Sequence, residues 1–117
     1  MWSGNDSDTL PILAMGGYGI VSVAAHLTGL QIKEMITAHL AGDHQRAAAI
    51  HQHLLPLVNA LFVVANPIPL KYLLNHVGFQ VGRPRLPLVE PDAATATRIR
   101  AVLAGYRVDL PLAAVAK

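Results

Sequence analysis

The stretch SGNDSDTLPILAMGGYGIVSV, residues 3–23, places a polar cluster, a short helical segment and two adjacent glycines directly before an apolar run. The serine and aspartates of the cluster can cap a helix that runs through Met15, and the glycine pair can end it. The run GIVSV predicts a buried strand over residues 19–23, and residues 1–3 predict the end of another. Two strands flanking a helix form one parallel crossover unit, which needs further strands at its edges.

The rest of the chain is predicted to be helical, because apolar residues recur at the spacing of a helix face. The predicted helices span 31–41, 43–61 with Asp43 as the cap and a bend or local break at Pro56, 66–78 with Asn66 as the cap, and a last segment from Pro91 or Asp92 to Gly105. Prolines and glycines over residues 79–91 predict an irregular connection across the surface. We expect a loose hydrophobic tail after the last helix.

The composition limits the class of protein. With 117 residues the chain is long enough for one domain and too short for two, and 53% apolar residues are typical of a packed globular protein. The absence of cysteine excludes a disulfide framework, a thiolate metal site and a cysteine nucleophile. The longest apolar stretch, residues 54–65, is too short for a membrane span, and the opening residues lack a secretory leader. We therefore expect a cytoplasmic protein with no membrane contact.

Basic residues are concentrated in the second half, where seven of the nine follow Asn66. The arginines of this half are scattered over a predicted connection and a predicted helix, and few aromatic residues are available to stack on bases. We expect a solvated face with some subunit contacts, and no nucleic acid partner.

Several motifs follow one another in order along the chain: SGNDSDTLPILAMGGYGIVSVAAH, LAGD, LLPLVNALF, NPIPLK and PRLPLVEP. Together they resemble the C-terminal part of the dihydrodipicolinate synthase family, one of the pyruvate-dependent Schiff-base aldolases, over nearly the whole chain. The combination of SGND with NPIPLK is more similar to the synthases than to the branch that contains N-acetylneuraminate lyase. The resemblance implies a lyase that condenses pyruvate with aspartate semialdehyde on the diaminopimelate route to lysine.

The family folds as a (β/α)8 barrel with a C-terminal helical extension. The resemblance therefore implies an α/β fold class, in which the chain holds the last two strands of a TIM barrel plus that extension and is mostly helical as it stands. We expect residues 1–42 to form the last two βα units and residues 43–117 the extension. About two fifths of a complete chain is then present. The implied partners are the missing N-terminal barrel portion, other subunits of a homo-oligomer and, in the complete enzyme, pyruvate.

The resemblance also implies binding residues at the carboxyl ends of the two strands, where barrel enzymes build their sites. Gly4 matches a glycine that contributes to binding of the pyruvate carboxylate. Val21 matches a residue, most often isoleucine, whose backbone carbonyl contributes to the pyruvate site. Asn5 stands where many members have aspartate, which puts any role for a charge there in doubt. Asn5 and Asp6 are expected to support the site at most, and capping of a helix is the alternative role of Asp6.

The catalytic lysine of the family lies on the sixth strand, and two tyrosines and a threonine that move protons lie in other segments that this chain lacks. The chain has Lys33 in a predicted helix, Lys71 after the NPIP turn and Lys117 at its end. None is expected in a buried strand, where desolvation would make an amine nucleophilic. We expect no catalytic residue, no cofactor and no aldol condensation by this polypeptide alone.

The histidines do not predict a metal site. His44 and His51 are nearly two helical turns apart, whereas His51 and His53 point to different sides of one predicted helix. No HExxH pattern occurs in the sequence. These histidines are expected on the surface or at the edge of the core.

Two further patterns are weaker. Ser22, His26 and Asp6 suggest a hydrolase triad, but Ser22 is predicted in an apolar strand without a G-x-S-x-G elbow. The GGYG segment is similar to a phosphate-binding loop but lacks the Gly-Lys-Ser/Thr ending, so its glycines are expected to end one helix and enter the next strand tightly.

Another member of the pyruvate aldolase family, such as N-acetylneuraminate lyase, remains an alternative to the synthase, and two alternatives to a segment of a lyase remain open. The first is a non-catalytic helical assembly or interaction module, since the apolar helix faces suit subunit contacts. The second is a truncated gene product, because Met1 stands directly before WSGND, where a start inside a longer reading frame would place it.

Overall fold

The computed structural model describes residues 1–110, which form a short parallel sheet and five α-helices. The two strands are β1 (Trp2–Ser3) and β2 (Gly19–Ile20). A 3-10 turn at Asp6–Asp8 leads into the first helix. The helices are α1 (Thr9–Ala14), α2 (Ala25–Leu40), α3 (His44–Leu61), α4 (Ile68–His76) and α5 (Ala93–Leu103). The predicted architecture, two strands within a mostly helical chain, is confirmed.

The two strands pair in parallel, with Trp2 opposite Gly19 and Ser3 opposite Ile20. The Trp2 ring lies so close to Gly19 that a Cβ there would come within 2.7 Å of it. The same ring contacts Tyr18 at a tilt of 58°, with 5.1 Å between the ring centroids. Trp2 and Tyr18 are both largely exposed, so no other part of the described chain packs over this aromatic pair.

β2 ends at Ile20, before the predicted end of the strand. The Val21 N–H still donates to the Ser3 carbonyl at 2.9 Å, and the chain then turns into α2. The sequence placed Ser22 in the apolar strand, and this was wrong. Its hydroxyl accepts the Ala25 N–H at 2.9 Å, so Ser22 satisfies one of the free donors at the start of the helix.

α2 begins at Ala25, whereas the periodicity predicted a start at Gln31. A break at Thr28, with φ −130° and ψ 34°, separates its first turn from the rest. The buried Thr28 hydroxyl donates to the Ala24 carbonyl at 3.2 Å. Because the backbone at Thr28 is not helical, the apolar residues before and after it do not share one regular helical spacing. The apolar periodicity in the sequence therefore predicted only the second part of α2.

α3 begins where the sequence predicted it. The Asp43 carboxylate accepts the Arg46 N–H at 3.1 Å, as an N-cap does. The helix continues through Pro56 to Leu61, so no local break occurs at the proline.

α4 begins one residue later than the predicted cap implies. Pro67 occupies the N-cap position, with φ −100° and ψ 23°, and the prediction that Asn66 caps the helix was wrong. The Ile68 N–H donates to the Ala65 carbonyl at 2.9 Å, so a backbone turn before the helix takes the place of a side-chain cap.

The connection between α4 and α5 contains no helix or strand, as predicted. Asn75 ties it to α4, since its side chain accepts the Val81 N–H at 2.8 Å and donates to the Gly82 carbonyl at 3.0 Å. At its end Asp92 caps α5 by accepting the Thr95 N–H at 2.7 Å, which confirms that predicted cap.

One hydrophobic core joins the four longer helices. Its largest fully buried members are Leu27 of α2, Leu57 and Leu61 of α3, Leu73 of α4 and Ile99 of α5. Residues on both sides of the predicted boundary at 42/43 therefore pack in the same core. The division into barrel units and extension stays a prediction.

The chain after α5 packs against the helices as far as Leu110. The Tyr106 hydroxyl donates to the His53 carbonyl of α3, and the Asp109 N–H donates to the Leu27 carbonyl of α2 at 2.7 Å. The expectation of a loose tail is wrong for residues 106–110. The rest of the predicted tail lies outside the described residues.

Candidate functional site

The turn after β1 is held by the side chain of Ser3. The Ser3 hydroxyl donates to the Asn5 carbonyl at 2.7 Å and accepts the Asn5 N–H at 3.2 Å. Ser3 is 1% exposed, so this closure lies beneath the surface. Gly4 is the exposed residue at the tip, and a Cβ placed on it would meet nothing within 4 Å. The Gly4 backbone therefore faces open space above a fixed turn.

Val21 lies beside this turn, at the carboxyl end of β2. Its N–H is paired with the Ser3 carbonyl, and its side chain is exposed at 76%. Within residues 1–110, the Val21 carbonyl accepts no hydrogen bond. The parallel pairing thus brings together the two residues that the sequence predicted as a binding pair, and it leaves a free acceptor there.

Asp6 joins the two strand ends. One of its carboxylate oxygens accepts the Ser22 hydroxyl, and the other accepts the Val23 N–H at 3.0 Å. The Ala24 N–H makes longer contacts of 3.4 and 3.5 Å with both oxygens. Asp6 is 6% exposed, and none of the ion pairs within the described residues involves it. Neutral donors at the start of α2 are the groups that compensate this buried carboxylate.

These contacts correct the alternative role predicted for Asp6. Its side chain makes no capping bond to its own 3-10 turn, whose N-cap position is Asn5. It satisfies donors of the next helix in the chain instead. The signal that could have indicated this is the pair of Asp6 and Ser22 on either side of a crossover unit, because parallel strands bring their carboxyl ends together.

The Asn5 side chain stays within its own turn. Its amide donates to the Ser7 hydroxyl and to an Asp8 carboxylate oxygen, both at 3.0 Å. Asn5 therefore stiffens the polar cluster without reaching β2.

The two lysines that the structure describes lie elsewhere. Lys33 is exposed on α2, in a groove that is also lined by Glu34 of the same helix and by Arg46 of α3. The Lys71 ammonium donates to the Arg83 carbonyl at 2.7 Å. Lys117 lies outside the described residues.

The histidines of α3 are spread over its surface and its buried edge. The rings of His44 and His39 are 4.9 Å apart, and those of His53 and Tyr106 are 4.8 Å apart. His51 is half-buried, and this burial lowers its pKa. Over residues 1–110, no three His, Asp or Glu side chains are grouped so that they could hold a metal ion.

The suggested hydrolase triad does not form. Ser22 contacts Asp6 directly, but the His26 ring nitrogen Nδ1 pairs with the Val23 carbonyl at 2.9 Å. The serine hydroxyl is used as a structural link, without a base to activate it.

No helix in the part of the chain that the structure describes is both long and apolar enough to cross a membrane.

Sequence reasoning missed one polar cluster, which lies at the break in α2. Asp109 accepts the N–H groups of Leu30 and Gln31 there, and Gln31 also donates to the Arg107 carbonyl at 2.9 Å. No local pattern signals this contact, because Asp109 is 79 and 78 positions away from its two partners.

Comparison with known proteins gives one consistent result. A chain from Dehalococcoides mccartyi named 4-hydroxy-tetrahydrodipicolinate synthase is 62% identical over 112 residues, which are 96% of this chain and 38% of the relative. A chain of the same name from Listeria welshimeri is 53% identical over 105 residues, 90% of this chain and 36% of that one. This chain therefore spans less than two fifths of the length of these relatives.

Solved structures agree with the sequence relatives. Dihydrodipicolinate synthase from Aquifex aeolicus matches with a TM-score of 0.87 and 40% identity, over 94% of this chain and 38% of that one. The enzyme from Thermotoga maritima matches with a TM-score of 0.85 and 40% identity, over 88% of this chain and 35% of that one. The model of the dihydrodipicolinate synthetase family matches residues 1–105, and the chain belongs to this family.

Proposed function

We propose that the chain is the C-terminal part of a 4-hydroxy-tetrahydrodipicolinate synthase-like lyase of the cytoplasm. The complete enzyme would condense pyruvate with aspartate semialdehyde through a lysine Schiff base, on the diaminopimelate route to lysine. The observation that carries this proposal is the pairing of β1 and β2. It sets the Gly4 backbone beside a free Val21 carbonyl, in a chain that is 62% identical to a protein with this name.

The exposed sheet supports a place in a larger barrel. A parallel pair leaves unpaired backbone along both outer edges, and parallel sheets are normally covered on both faces. Here Trp2 and Tyr18 lie on the sheet with 59% and 69% of their surface exposed. Further strands, supplied by the rest of a barrel, would bury these rings and complete both edges.

The described residues would bind the substrate and leave covalent chemistry to another segment. The Gly4 backbone would contact the pyruvate carboxylate, and the Val21 carbonyl would complete the same site. Asn5 and Asp6 would keep the two turns in place. Lys33 and Lys71 are both remote from a buried strand position, so the amine that forms the Schiff base would come from the remainder of the barrel.

A chimera tests the placement and the activity together. The 112 residues of the Dehalococcoides mccartyi relative that match this chain are replaced by the corresponding segment of this chain. We expect the condensation rate to stay within about tenfold of the parent, because backbone groups make the proposed contacts and the exchanged segments are 62% identical. The 117-residue chain alone should show no turnover.

The matched control is the chimera carrying Gly4→Val, which fills the open space over the turn. This variant should fold like the chimera and raise KM for pyruvate. A folded but inactive chimera, or turnover by the 117-residue chain alone, would contradict the proposal.

The exposed apolar side chains also favour contacts with partner chains. Leu30 and Leu40 of α2 are 62% and 67% exposed, and Met15 is 82% exposed. In the proposed function the partners are the remaining barrel portion and other subunits. Size-exclusion chromatography distinguishes a segment that needs partner chains from an independent helical module. A stable monomer would contradict the need for an obligate partner.

A further inference from the structure

Asp6 is the only group that reaches across from the turn after β1 to the start of α2 through side-chain bonds within the described residues. Its carboxylate contacts the Ser22 hydroxyl and the N–H groups of Val23 and Ala24. Consecutive backbone donors that lead into a helix are the arrangement with which proteins hold an external oxyanion. Here a side chain of the protein already fills that place.

The position of this carboxylate fixes the peptide that follows Val21. On one side, the Val21 N–H is held by the Ser3 carbonyl at 2.9 Å. On the other side, the next two residues are held by Asp6. The Val21 carbonyl lies between these two anchors, so its direction is set without any bond to the carbonyl oxygen itself.

The geometry points to Asp6 as the positioning residue of the candidate site, an internal anion that aims the Val21 carbonyl and denies the donors at the start of α2 to any external oxyanion. As a role in substrate binding this rests on the proposed function. Barrel enzymes often bind a substrate phosphate at the loops after their last two strands. With Asp6 in place, the N–H groups at the start of α2 would not bind a phosphate. The site would accept a substrate whose acidic group is bound by other residues.

The test removes the internal anion and offers an external one. Asp6→Gly deletes the carboxylate in the 117-residue chain, and formate and inorganic phosphate are the probes, at constant ionic strength. Amide spectra follow Val23 and Ala24, and the carbonyl carbon signal follows Val21. Asp8→Gly is the matched control, since Asp8 is a neighbouring exposed acid whose side-chain hydrogen bonds within residues 1–110 are with Asn5 and Ser7 alone.

In the native chain and in Asp8→Gly, neither anion should move the Val23 and Ala24 signals. In Asp6→Gly, the Val23 amide hydrogen should exchange about tenfold faster or more, because a hydrogen bond to a charged group is lost. Formate should then shift both amide signals in a saturable way and return the Val21 carbonyl signal toward its native position. A role in packing alone would not produce this anion dependence.

Folded Asp6→Gly that ignores both anions would overturn the inference, and so would an equal response of Asp8→Gly. If Asp6→Gly unfolds the chain, recovery of the helical circular dichroism signal by formate, but not by chloride, supports the inference. Failure to recover at every formate concentration contradicts it. Because no readout requires turnover, an active chimera with an unresponsive Asp6→Gly would reject only the positioning role.

Discussion

Asp109 and Leu30 are 79 positions apart in the sequence, yet the Leu30 N–H donates to Asp109 Oδ2 at 3.0 Å. The same oxygen accepts the Gln31 N–H at 3.2 Å, and the Asp109 N–H donates to the Leu27 carbonyl at 2.7 Å. The break at Thr28 leaves donors on one side of it and an acceptor on the other. Asp109, near the end of the described chain, satisfies both the donors and the acceptor.

Asp109→Ala should therefore destabilise the protein by about 1–3 kcal/mol, because two backbone donors of α2 lose a charged acceptor. The Asp109 side chain is 6% exposed, so water cannot easily replace it. Urea unfolding measures the change. The control is Arg107→Ala, which removes an ion pair of 3.3 Å whose arginine side chain is 74% exposed. It should cost less than about 1 kcal/mol, and equal losses in the two variants would contradict the capping role.

Gly17→Ala should destabilise the helix-to-strand turn. A Cβ at Gly17 would lie 2.6 Å from the Ile12 carbonyl oxygen and 2.5 Å from Ile12 Cγ2, so the backbone has to shift. We expect a loss of about 1–3 kcal/mol in the free energy of unfolding. Gly29→Ala is the control, because its Cβ would meet only Ala25 Cβ, at 3.9 Å, inside α2. It should be neutral or stabilise by up to about 1 kcal/mol, and a similar loss in both variants would contradict the steric argument.

Local signals predicted most of the helical structure. Asp43 and Asp92 cap α3 and α5 as expected, since an N-cap contacts a residue three positions away and is visible in a short window of sequence. The irregular segment before α5 was also visible, because proline and glycine act on their own backbone.

Long-range contacts explain what the sequence did not show. The early start of α2 depends on Asp6 and Ser22, and its second part depends on Asp109. In the candidate site, the proximity of Gly4 and Val21 followed from the resemblance and from parallel pairing, but the bridge through Asp6 did not. A carboxylate beside the start of its own helix favours capping there, and only the packed strands show that it faces the next helix.

His51 should make stability depend on pH. Burial lowers its pKa below the ordinary value of 6.5, in a small pocket that is lined by apolar residues of α2 and α3 and by Asp6 and Thr9. As the pH falls below 6.5, the unfolded chain takes up the proton first, so stability is lost between 6.5 and the lowered pKa of the folded state. Above that range the histidine is neutral in both states and contributes no pH dependence.

The measurement is the urea unfolding free energy at several pH values across this range. The unfolding free energy of His51→Gln should fall less steeply with decreasing pH than that of the native chain. His44→Gln, at an exposed position, is the control. Parallel curves for the native chain and His51→Gln would show that burial of His51 does not couple folding to protonation.

The 117-residue chain should form no Schiff base with pyruvate. An amine attacks a carbonyl only when it is neutral, and proteins achieve this by desolvating a lysine or placing it near another cation. Lys33 is exposed to water on α2, and the Lys71 ammonium donates to the Arg83 carbonyl at 2.7 Å, so neither lysine lies in a buried strand. Borohydride reduction in the presence of pyruvate, followed by mass spectrometry, should therefore give no adduct, whereas the chimera should be trapped at a lysine of its Dehalococcoides mccartyi portion. A reduced adduct on any lysine of the chain alone would show that it carries the covalent chemistry itself.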